Sequence, residues 1–311
     1  MKKVLLIDSC HAYLPEGLSA FGHLVLDVTQ LNTQSIIHLH ADAFGMVVRS
    51  RFPINAEFLQ HFGQLKWIAR FGAGMENIDV VWAENRGIRC LHAAEGNRDA
   101  VGEHALGMLL CLFNRLHIAD FQLRNGQWLR EANRGEELAG KTIGIIGYGN
   151  MGSAFAKKLT GMDVRILAYD KYKFSYAPAW VEETTLELLM QQSDVISLHL
   201  PQNKETKHLI NKNFWQALGK PIYLINTSRG NQVETNDLVE ALKNGRVLGA
   251  CLDVFEFESS SFETIQNPDY AEAWQYLITA KNTLLTPHIA GWTHSSNQKM
   301  AEILLEKITA L

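Results

Sequence analysis

The sequence predicts an α/β protein of two domains, each built on a doubly wound parallel β-sheet. With 311 residues, the chain is longer than most single domains. Short apolar runs alternate with segments of helical periodicity along nearly its whole length. This alternation is typical of parallel sheets whose strands are joined by crossover helices.

The first domain is predicted from roughly the first hundred residues. Four helical segments, near residues 15–21, 33–40, 54–62 and 79–86, would cover the two faces of its sheet. The apolar runs that we expect to form its strands are 4–7, 24–28, 46–48, 67–71 and 87–90.

The second domain is predicted to begin with an apolar helix over residues 99–115, which would connect the two domains. A last helix, starting near Trp292, is too short to form a domain and should pack on the first one. We therefore expect a first domain of residues 1–99 and 284–311, with a second domain of residues 100–283 inserted into it. The predicted strands of the second domain are 142–146, 164–169, 194–200, 222–226 and 247–254, and a further strand-like run lies at 282–288.

The composition is that of an ordinary globular protein, with 47% hydrophobic and 20% charged residues. A net charge of −4 argues against broad binding to nucleic acid or to an anionic membrane, although Arg49 with Arg51 could hold one small anion. The four cysteines are scattered without CxxC spacing, so we expect reduced thiols and a cytoplasmic location. The twelve histidines include no pair at ligand spacing, and we expect no metal site.

A glycine-rich turn near the start of the second domain indicates a dinucleotide site. Gly147, Gly149 and Gly152 have GxGxxG spacing between an apolar run and a helical segment. The first glycine permits the tight turn, the second lets the backbone approach a pyrophosphate, and the third lets helix and strand pack closely. Asp170, 18 residues after Gly152, can accept hydrogen bonds from ribose hydroxyls and repel a 2′-phosphate. The predicted cofactor is therefore NAD.

Three side chains with suitable chemistry follow apolar runs, at the strand ends where parallel sheets bind ligands. They are Arg229, Glu258 and His288. A histidine can take the hydroxyl proton while hydride leaves for a nicotinamide, and can return it in the reduction. A nearby glutamate would stabilise the imidazolium, and an arginine could hold a carboxylate and polarise a carbonyl oxygen.

Four motifs in order resemble the D-isomer-specific 2-hydroxyacid dehydrogenases, and the resemblance covers nearly the whole chain. They are GYGNMG (147–152), NTSRG (226–230), GACLDVFEFE (249–258) and TPHIAG (286–291). The resemblance implies that Arg229 binds the carboxylate and carbonyl oxygen while Glu258 supports proton transfer by His288. It also implies a flavodoxin-like substrate-binding domain, an inserted NAD-binding Rossmann domain, and a homodimer formed through the latter.

The resemblance assigns further residues to the two ligands. The loop FGAGMENID (71–79) would direct backbone N–H groups at the substrate carboxylate, and Asp253 would reach the nicotinamide carboxamide. The cofactor-binding positions are Gly147, Tyr148, Gly149, Asn150, Met151, Gly152, Asp170, His199, Leu200, Pro201, Thr227, Ser228, Asp253 and Gly291. The substrate-binding positions are Arg49, Ser50, Ala73, Gly74, Met75, Asn97, Arg229 and His288.

Two departures leave alternatives open. Ser259 follows Glu258 where the family usually carries proline, and a long acidic loop comes next, so Glu256 is the alternative glutamate. Lys171 and Lys173 follow the ribose-binding acid and keep NADP as the alternative cofactor.

The segment VVRSRF (47–52) resembles a phosphate-binding segment of phosphoglycerate dehydrogenases, in which Arg49 and Arg51 would meet a phosphate. We therefore expect D-3-phosphoglycerate as substrate, with a role in serine biosynthesis. Glycerate, hydroxypyruvate or glyoxylate are the alternatives. A non-catalytic, NAD-sensing scaffold related to corepressors is the alternative of another class, and a formate- or phosphite-type dehydrogenase is a third.

Overall fold

The computed structural model describes residues 1–259 and 271–311. The chain divides into two compact units, the first made of Met1–Arg98 and Trp292–Leu311, the second of Asp99–Glu258 and a further segment ending at Gly291. Residues 260–270, most of the predicted acidic loop, lie outside the described residues.

The first unit contains a five-stranded parallel sheet in the order β2-β1-β3-β4-β5, which is the flavodoxin-like order. Its strands are β1 (Lys3–Leu6), β2 (Leu24–Asp27), β3 (Gly45–Val48), β4 (Trp67–Arg70) and β5 (Arg89–His92). Its helices are α1 (Tyr13–Ala20), α2 (Thr33–His40), α3 (Ala56–Leu59), α4 (Val80–Glu84) and, at the end of the chain, α12 (His294–Thr309).

Both faces of this sheet are buried, as the continuous apolar runs predicted. Leu5 packs in a core with Ile36 of α2, whereas Val4 and Leu6 pack in a second core with Leu304 of α12. The period of two along a strand explains this division, because neighbouring side chains point to opposite faces. The last helix therefore packs on the first unit, as predicted.

The second unit contains a seven-stranded parallel sheet in the order β12-β11-β10-β9-β6-β7-β8. The order reverses between β6 and β9, and the ligand crevice of a Rossmann sheet lies outside the strand ends at such a point. Its strands are β6 (Thr142–Ile146), β7 (Arg165–Tyr169), β8 (Glu182–Glu183), β9 (Val195–Leu198), β10 (Ile222–Asn226), β11 (Val247–Leu252) and β12 (Thr283–Leu285). Only β8 has no predicted counterpart, since it is two residues long and polar.

The second unit contains seven described α-helices, of which α6 has no buried residue. Helix α5 begins earlier than predicted, within the residues of the first unit. The seven helices are α5 (Ala94–Phe113), α6 (Leu116–Arg124), α7 (Asn150–Lys158), α8 (Leu186–Gln192), α9 (Lys212–Ala217), α10 (Thr235–Lys243) and α11 (Ala271–Thr279). In the described parts of the chain, no helix has both the length and the apolar character that a bilayer span requires.

One predicted boundary differs from the structure. Residues 284–291, expected with the first domain, belong to the second unit, which extends to Gly291. The reason is that β12 pairs with β11 and that the backbone N–H groups of Ile289 and Ala290 donate to the carboxylate of Asp253. His288 therefore lies in the second unit.

Candidate active site

The glycine turn between β6 and α7 has the geometry that its spacing predicts. Gly147 has φ of +92°, and a Cβ there would lie 2.4 Å from the carbonyl oxygen of His199. A Cβ at Gly152 would lie 2.1 Å from the carbonyl oxygen of Gly147, whereas a Cβ at Gly149 would meet no atom of the protein within 4 Å. Packing thus requires the first and third glycines, and the space beside the second is open to a ligand.

The start of α7 is suited to an anion. Gly149 occupies the N-cap position, where the described residues provide no side-chain capping hydrogen bond. The N–H groups of the first turn, which contains Asn150 and Met151, therefore remain for a phosphate. This turn and the open space at Gly149 fit the pyrophosphate of a dinucleotide.

Asp170 directly follows β7 and lies beside the glycine turn. Its Oδ2 accepts the N–H of Tyr148 at 2.9 Å, and its Oδ1 accepts the N–H of Tyr172 at 3.0 Å. Each carboxylate oxygen has a second lone pair, so Asp170 can also accept ribose hydroxyls. The lysines that follow are engaged elsewhere, Lys171 with Glu205 at 2.7 Å and Lys173 with the carbonyl oxygen of Tyr148 at 2.9 Å.

The side chain of His199 points into the protein, and the predicted place of this residue in the cofactor site remains a prediction. The residue is buried, its Nε2 lies 2.8 Å from Ser197 Oγ, and its ring packs on Phe155. Burial lowers the pKa of His199 to about 3, so the ring is neutral near pH 7. Only its backbone borders the glycine turn. The sequence could not reveal this, because a histidine just after a strand can face either side.

The next two strand ends are tied together by Gln232, which the sequence did not single out. Its Nε2 donates to the carbonyl oxygens of Leu200 at 2.9 Å and Pro201 at 3.2 Å, and its Oε1 accepts from Ser228 Oγ at 2.5 Å. Among the described residues, the buried hydroxyl of Thr227 has no hydrogen-bond partner, and a bound cofactor could supply one.

His288 and Glu258 form a hydrogen-bonded pair in the second unit. Nδ1 of His288 lies 2.7 Å from Oε2 of Glu258, and the N–H of Phe255 donates to Oε1. Because Nδ1 faces the carboxylate, Nε2 is the ring nitrogen that can exchange a proton with a ligand. His288 has φ of +54°, and its N–H donates to the carbonyl oxygens of Asp253 at 2.8 Å and Thr286 at 3.0 Å.

The alternative glutamate, Glu256, is engaged elsewhere. Its Oε1 lies 2.5 Å from Nε2 of His208, and its Oε2 accepts from the hydroxyl of Thr235 at 2.8 Å. The side chain is 8% exposed. Of the two glutamates, Glu258 is the one that the structure pairs with His288.

Arg229 follows β10 and lies in the turn next to the loop that carries Glu258. Its Nη1 donates to the carbonyl oxygen of Ser228 at 2.7 Å, and its side chain is half-buried. The adjacent Gly230 packs against that loop so closely that a Cβ there would lie 1.9 Å from the carbonyl carbon of Phe255. The turn of Arg229 and the loop of Glu258 are thus positioned by direct backbone contact.

Asp253 holds the loop that carries His288. The carboxylate is 1% exposed and accepts from Thr286 Oγ1 at 2.5 Å, Ile289 N at 2.9 Å and Ala290 N at 2.8 Å. These bonds give Asp253 a role within the protein that the sequence did not predict. Its predicted contact with the nicotinamide carboxamide remains a prediction.

In the first unit, the two arginines of VVRSRF differ. The guanidinium of Arg51 donates to the backbone carbonyl oxygens of Ile7, Val28 and Leu31, so this side chain stabilises the fold. Its predicted contact with a phosphate remains a prediction. The guanidinium carbon of Arg49 lies 3.8 Å from the ring centroid of Trp292. Sequence spacing alone could not separate the two, since both follow the same strand.

The other predicted substrate residues of this unit lie on β-strand ends and on α5. Ser50 is half-buried beside Arg49, and Ala73, Gly74 and Met75 are half-buried in the loop after β4. Asn97 is half-buried on α5, and within the described residues its Oδ1 is shielded from solvent without a hydrogen-bond partner. A ligand donor would satisfy that oxygen.

Comparisons with known proteins show the family to which this chain is similar. The sequence profile described as D-isomer specific 2-hydroxyacid dehydrogenase, NAD binding domain, matches residues 106–290. The chain is 39% identical to the glyoxylate reductase of Thermofilum pendens over 265 residues, covering 83% of this chain and 75% of that protein. It is 36% identical to the D-3-phosphoglycerate dehydrogenase of Archaeoglobus fulgidus over 265 residues, covering 85% of this chain and 48% of that protein.

A solved structure shows the same architecture. The D-lactate dehydrogenase of Aquifex aeolicus, in complex with NAD and lactic acid, superimposes with a TM-score of 0.84 at 27% identity. The match covers 99% of this chain and 95% of that one.

Proposed function

The chain belongs to the D-isomer-specific 2-hydroxyacid dehydrogenase family, and we propose that within it the protein reduces small, unphosphorylated 2-keto acids such as glyoxylate and hydroxypyruvate. The family consists of NAD-dependent oxidoreductases that act on CH–OH groups, and this chain carries the family's NAD-binding domain.

One observation favours an unphosphorylated substrate over the phosphoglycerate expected from the sequence. Three backbone carbonyl oxygens accept from the guanidinium of Arg51, so N–H groups that a phosphate would need are engaged within the protein. Asp8 accepts the backbone N–H of Arg49 at 2.5 Å, and a carboxylate beside this segment would oppose a bound phosphate. A dianionic phosphate is bound best by guanidinium groups whose N–H groups can donate to it directly.

The proposed chemistry divides the work among three side chains. Arg229 binds the carboxylate of the keto acid and polarises its C2 carbonyl. Bound NADH supplies the hydride to C2. His288 donates the Nε2 proton to the carbonyl oxygen, and Glu258, 2.7 Å from Nδ1, fixes the tautomer and stabilises the imidazolium. The reverse reaction uses the same groups with His288 as base.

The cofactor preference is proposed to be NAD over NADP. The carboxylate of Asp170 lies beside the turn that fits the pyrophosphate, where it would repel a 2′-phosphate. The ammonium groups of Lys171 and Lys173 are held by Glu205 and by the carbonyl oxygen of Tyr148, so neither is placed by these bonds toward a 2′-phosphate.

A substrate panel tests the proposal. NADH oxidation is followed with glyoxylate, hydroxypyruvate and phosphohydroxypyruvate, and the first two should give the higher kcat/KM. A higher kcat/KM with phosphohydroxypyruvate would overturn the proposal. Absence of turnover with every 2-keto acid, while NADH still binds, would favour the non-catalytic scaffold.

D-3-Phosphoglycerate dehydrogenase, with its role in serine biosynthesis, is the second candidate, because Arg49 remains as a cation held against Trp292. Under this candidate, Arg49→Ala raises KM for phosphohydroxypyruvate at least tenfold more than KM for hydroxypyruvate. Arg49→Lys, which keeps the charge, is the matched control. Equal effects on both substrates would exclude a phosphate contact.

We also propose a homodimer formed through the second unit. Three large apolar side chains on and just after α6 are exposed, Phe121 at 69%, Leu123 at 57% and Trp128 at 82%, and a second copy would bury them. Light scattering should give twice the chain mass, and Phe121→Asp should give the single-chain mass.

The four unpaired thiols support a cytoplasmic location.

A further inference from the structure

A chain of hydrogen bonds leads from helix α5 to the loop that carries His288. Nε2 of His104, on α5, lies 3.1 Å from Thr286 Oγ1, which lies 2.5 Å from Asp253 Oδ1. We propose that His104 is a positioning residue that fixes the loop of His288 through Thr286 and Asp253. This inference rests on the proposed role of His288 in proton transfer.

The direction of the bonds follows from the donors present. The carboxylate of Asp253 already accepts the N–H groups of Ile289 and Ala290, so it acts as an acceptor toward Thr286 as well. The single hydroxyl proton of Thr286 is therefore used toward Asp253, and its oxygen must accept from His104. His104 thus carries a proton on Nε2, and that nitrogen also lies 3.6 Å from Asp253 Oδ1.

The loop that carries His288 contains a backbone conformation that its surroundings must stabilise. His288 has φ of +54°, a left-handed conformation that is unfavourable for a residue with a side chain. Its N–H donates to the backbone carbonyl oxygens of Asp253 and Thr286, the two residues that His104 approaches. The two residues that bind the backbone N–H of His288 are thus also residues that lie close to His104 Nε2.

A histidine that merely filled space on α5 would not need a donor at Nε2. The distinction can be tested, because glutamine places a donor nitrogen near the position of Nε2, whereas leucine keeps much of the volume without a donor. Thr286 makes the same comparison possible at the middle of the hydrogen-bond chain, because Thr286→Ser keeps the hydroxyl group and Thr286→Val removes it. His38, exposed on α2 of the first unit, provides the control substitution His38→Leu.

The experiment measures kcat and KM for the best keto acid, Kd for NADH by fluorescence, and the His288 Cε1–H resonance at one fixed pH, assigned by its loss in His288→Asn. We expect His104→Leu to lower kcat roughly tenfold, to leave Kd for NADH within twofold, and to move the His288 resonance. His104→Gln should restore kcat to within about twofold, and His38→Leu should change none of the three.

Equal losses in His104→Leu and His104→Gln would assign His104 to packing and overturn the proposal, as would an unmoved His288 resonance in His104→Leu. If His104→Leu does not fold, the Thr286→Val and Thr286→Ser pair decides, with the same outcomes. If the wild-type protein turns over no keto acid, the proposed function fails, but the resonance still tests the positioning.

Discussion

Replacing Gly230 with alanine should lower turnover while leaving the cofactor bound. An alanine Cβ at this position would lie 1.9 Å from the carbonyl carbon of Phe255, 2.0 Å from its oxygen and 2.5 Å from the backbone nitrogen of Glu256. All three atoms belong to backbone, so no side chain can rotate away. Either the turn of Arg229 or the loop of Glu258 must move.

The size of the movement follows from the contact. Ordinary carbon contacts begin near 3.4 Å, so the two backbones must separate by about 1.5 Å. Glu258 Oε1 accepts the N–H of Phe255, and a shift of Phe255 therefore displaces the carboxylate that lies 2.7 Å from His288. A misplacement of about 1 Å can lower a rate by about a hundredfold, and we expect a loss of that order in kcat.

The assay compares Gly230→Ala with Gly63→Ala, a control whose Cβ would meet no atom within 4 Å. Stopped-flow measurement of NADH oxidation gives kcat, NADH fluorescence gives Kd, and thermal unfolding shows whether the variant is folded. Gly63→Ala should match the wild type. A folded Gly230→Ala variant that retains more than half of the wild-type kcat would refute the argument that this contact positions the site.

Three further predictions concern cofactor binding and stability. Gly149→Ala places a methyl group in the open space beside α7, so Kd for NADH should rise at least about tenfold with an unchanged Tm; unchanged Kd would contradict the pyrophosphate site. Asp170→Ala should raise kcat/KM with NADPH relative to NADH, and an unchanged ratio would show that another group sets the preference. Burial lowers the pKa of His199 to about 3, whereas the same side chain in the unfolded protein has a pKa of about 6.5. Between these values the unfolded protein binds a proton that the folded protein does not. The contribution of His199 to the free energy of unfolding should therefore fall by about 1.4 kcal/mol for each pH unit as the pH is lowered from about 6 to 4. His199→Gln should remove that slope in urea unfolding measured across this range, and an identical slope would contradict it.

Much of the fold could be predicted because continuous apolar runs and a glycine turn are local features of the sequence. Each long strand and the functions of Gly147 and Gly152 follow from residues within a few positions of one another. The boundary at Gly291 could not be predicted in this way, because it depends on β12 pairing with β11 and on bonds to Asp253 from a distant segment.

The residue types of the candidate site could be predicted from the sequence, whereas the partners of each side chain could be predicted less well. The motif positions named both Glu256 and Glu258, and only the three-dimensional arrangement brings Glu258 to His288 and Glu256 to His208. Gln232 gave no indication in the sequence, since a buried glutamine in a polar stretch resembles a surface residue. Thr286 follows a strand, where the rule that ligands bind at strand ends could have drawn attention to it.

The most direct test of the account is the effect of His288→Asn on the two functions of the second unit. We expect kcat for 2-keto acid reduction to fall at least about a hundredfold while Kd for NADH stays within twofold of the wild type. A variant that keeps more than a tenth of the wild-type kcat would contradict the proton-transfer role of His288. An equal loss of NADH affinity would instead place His288 in the cofactor site.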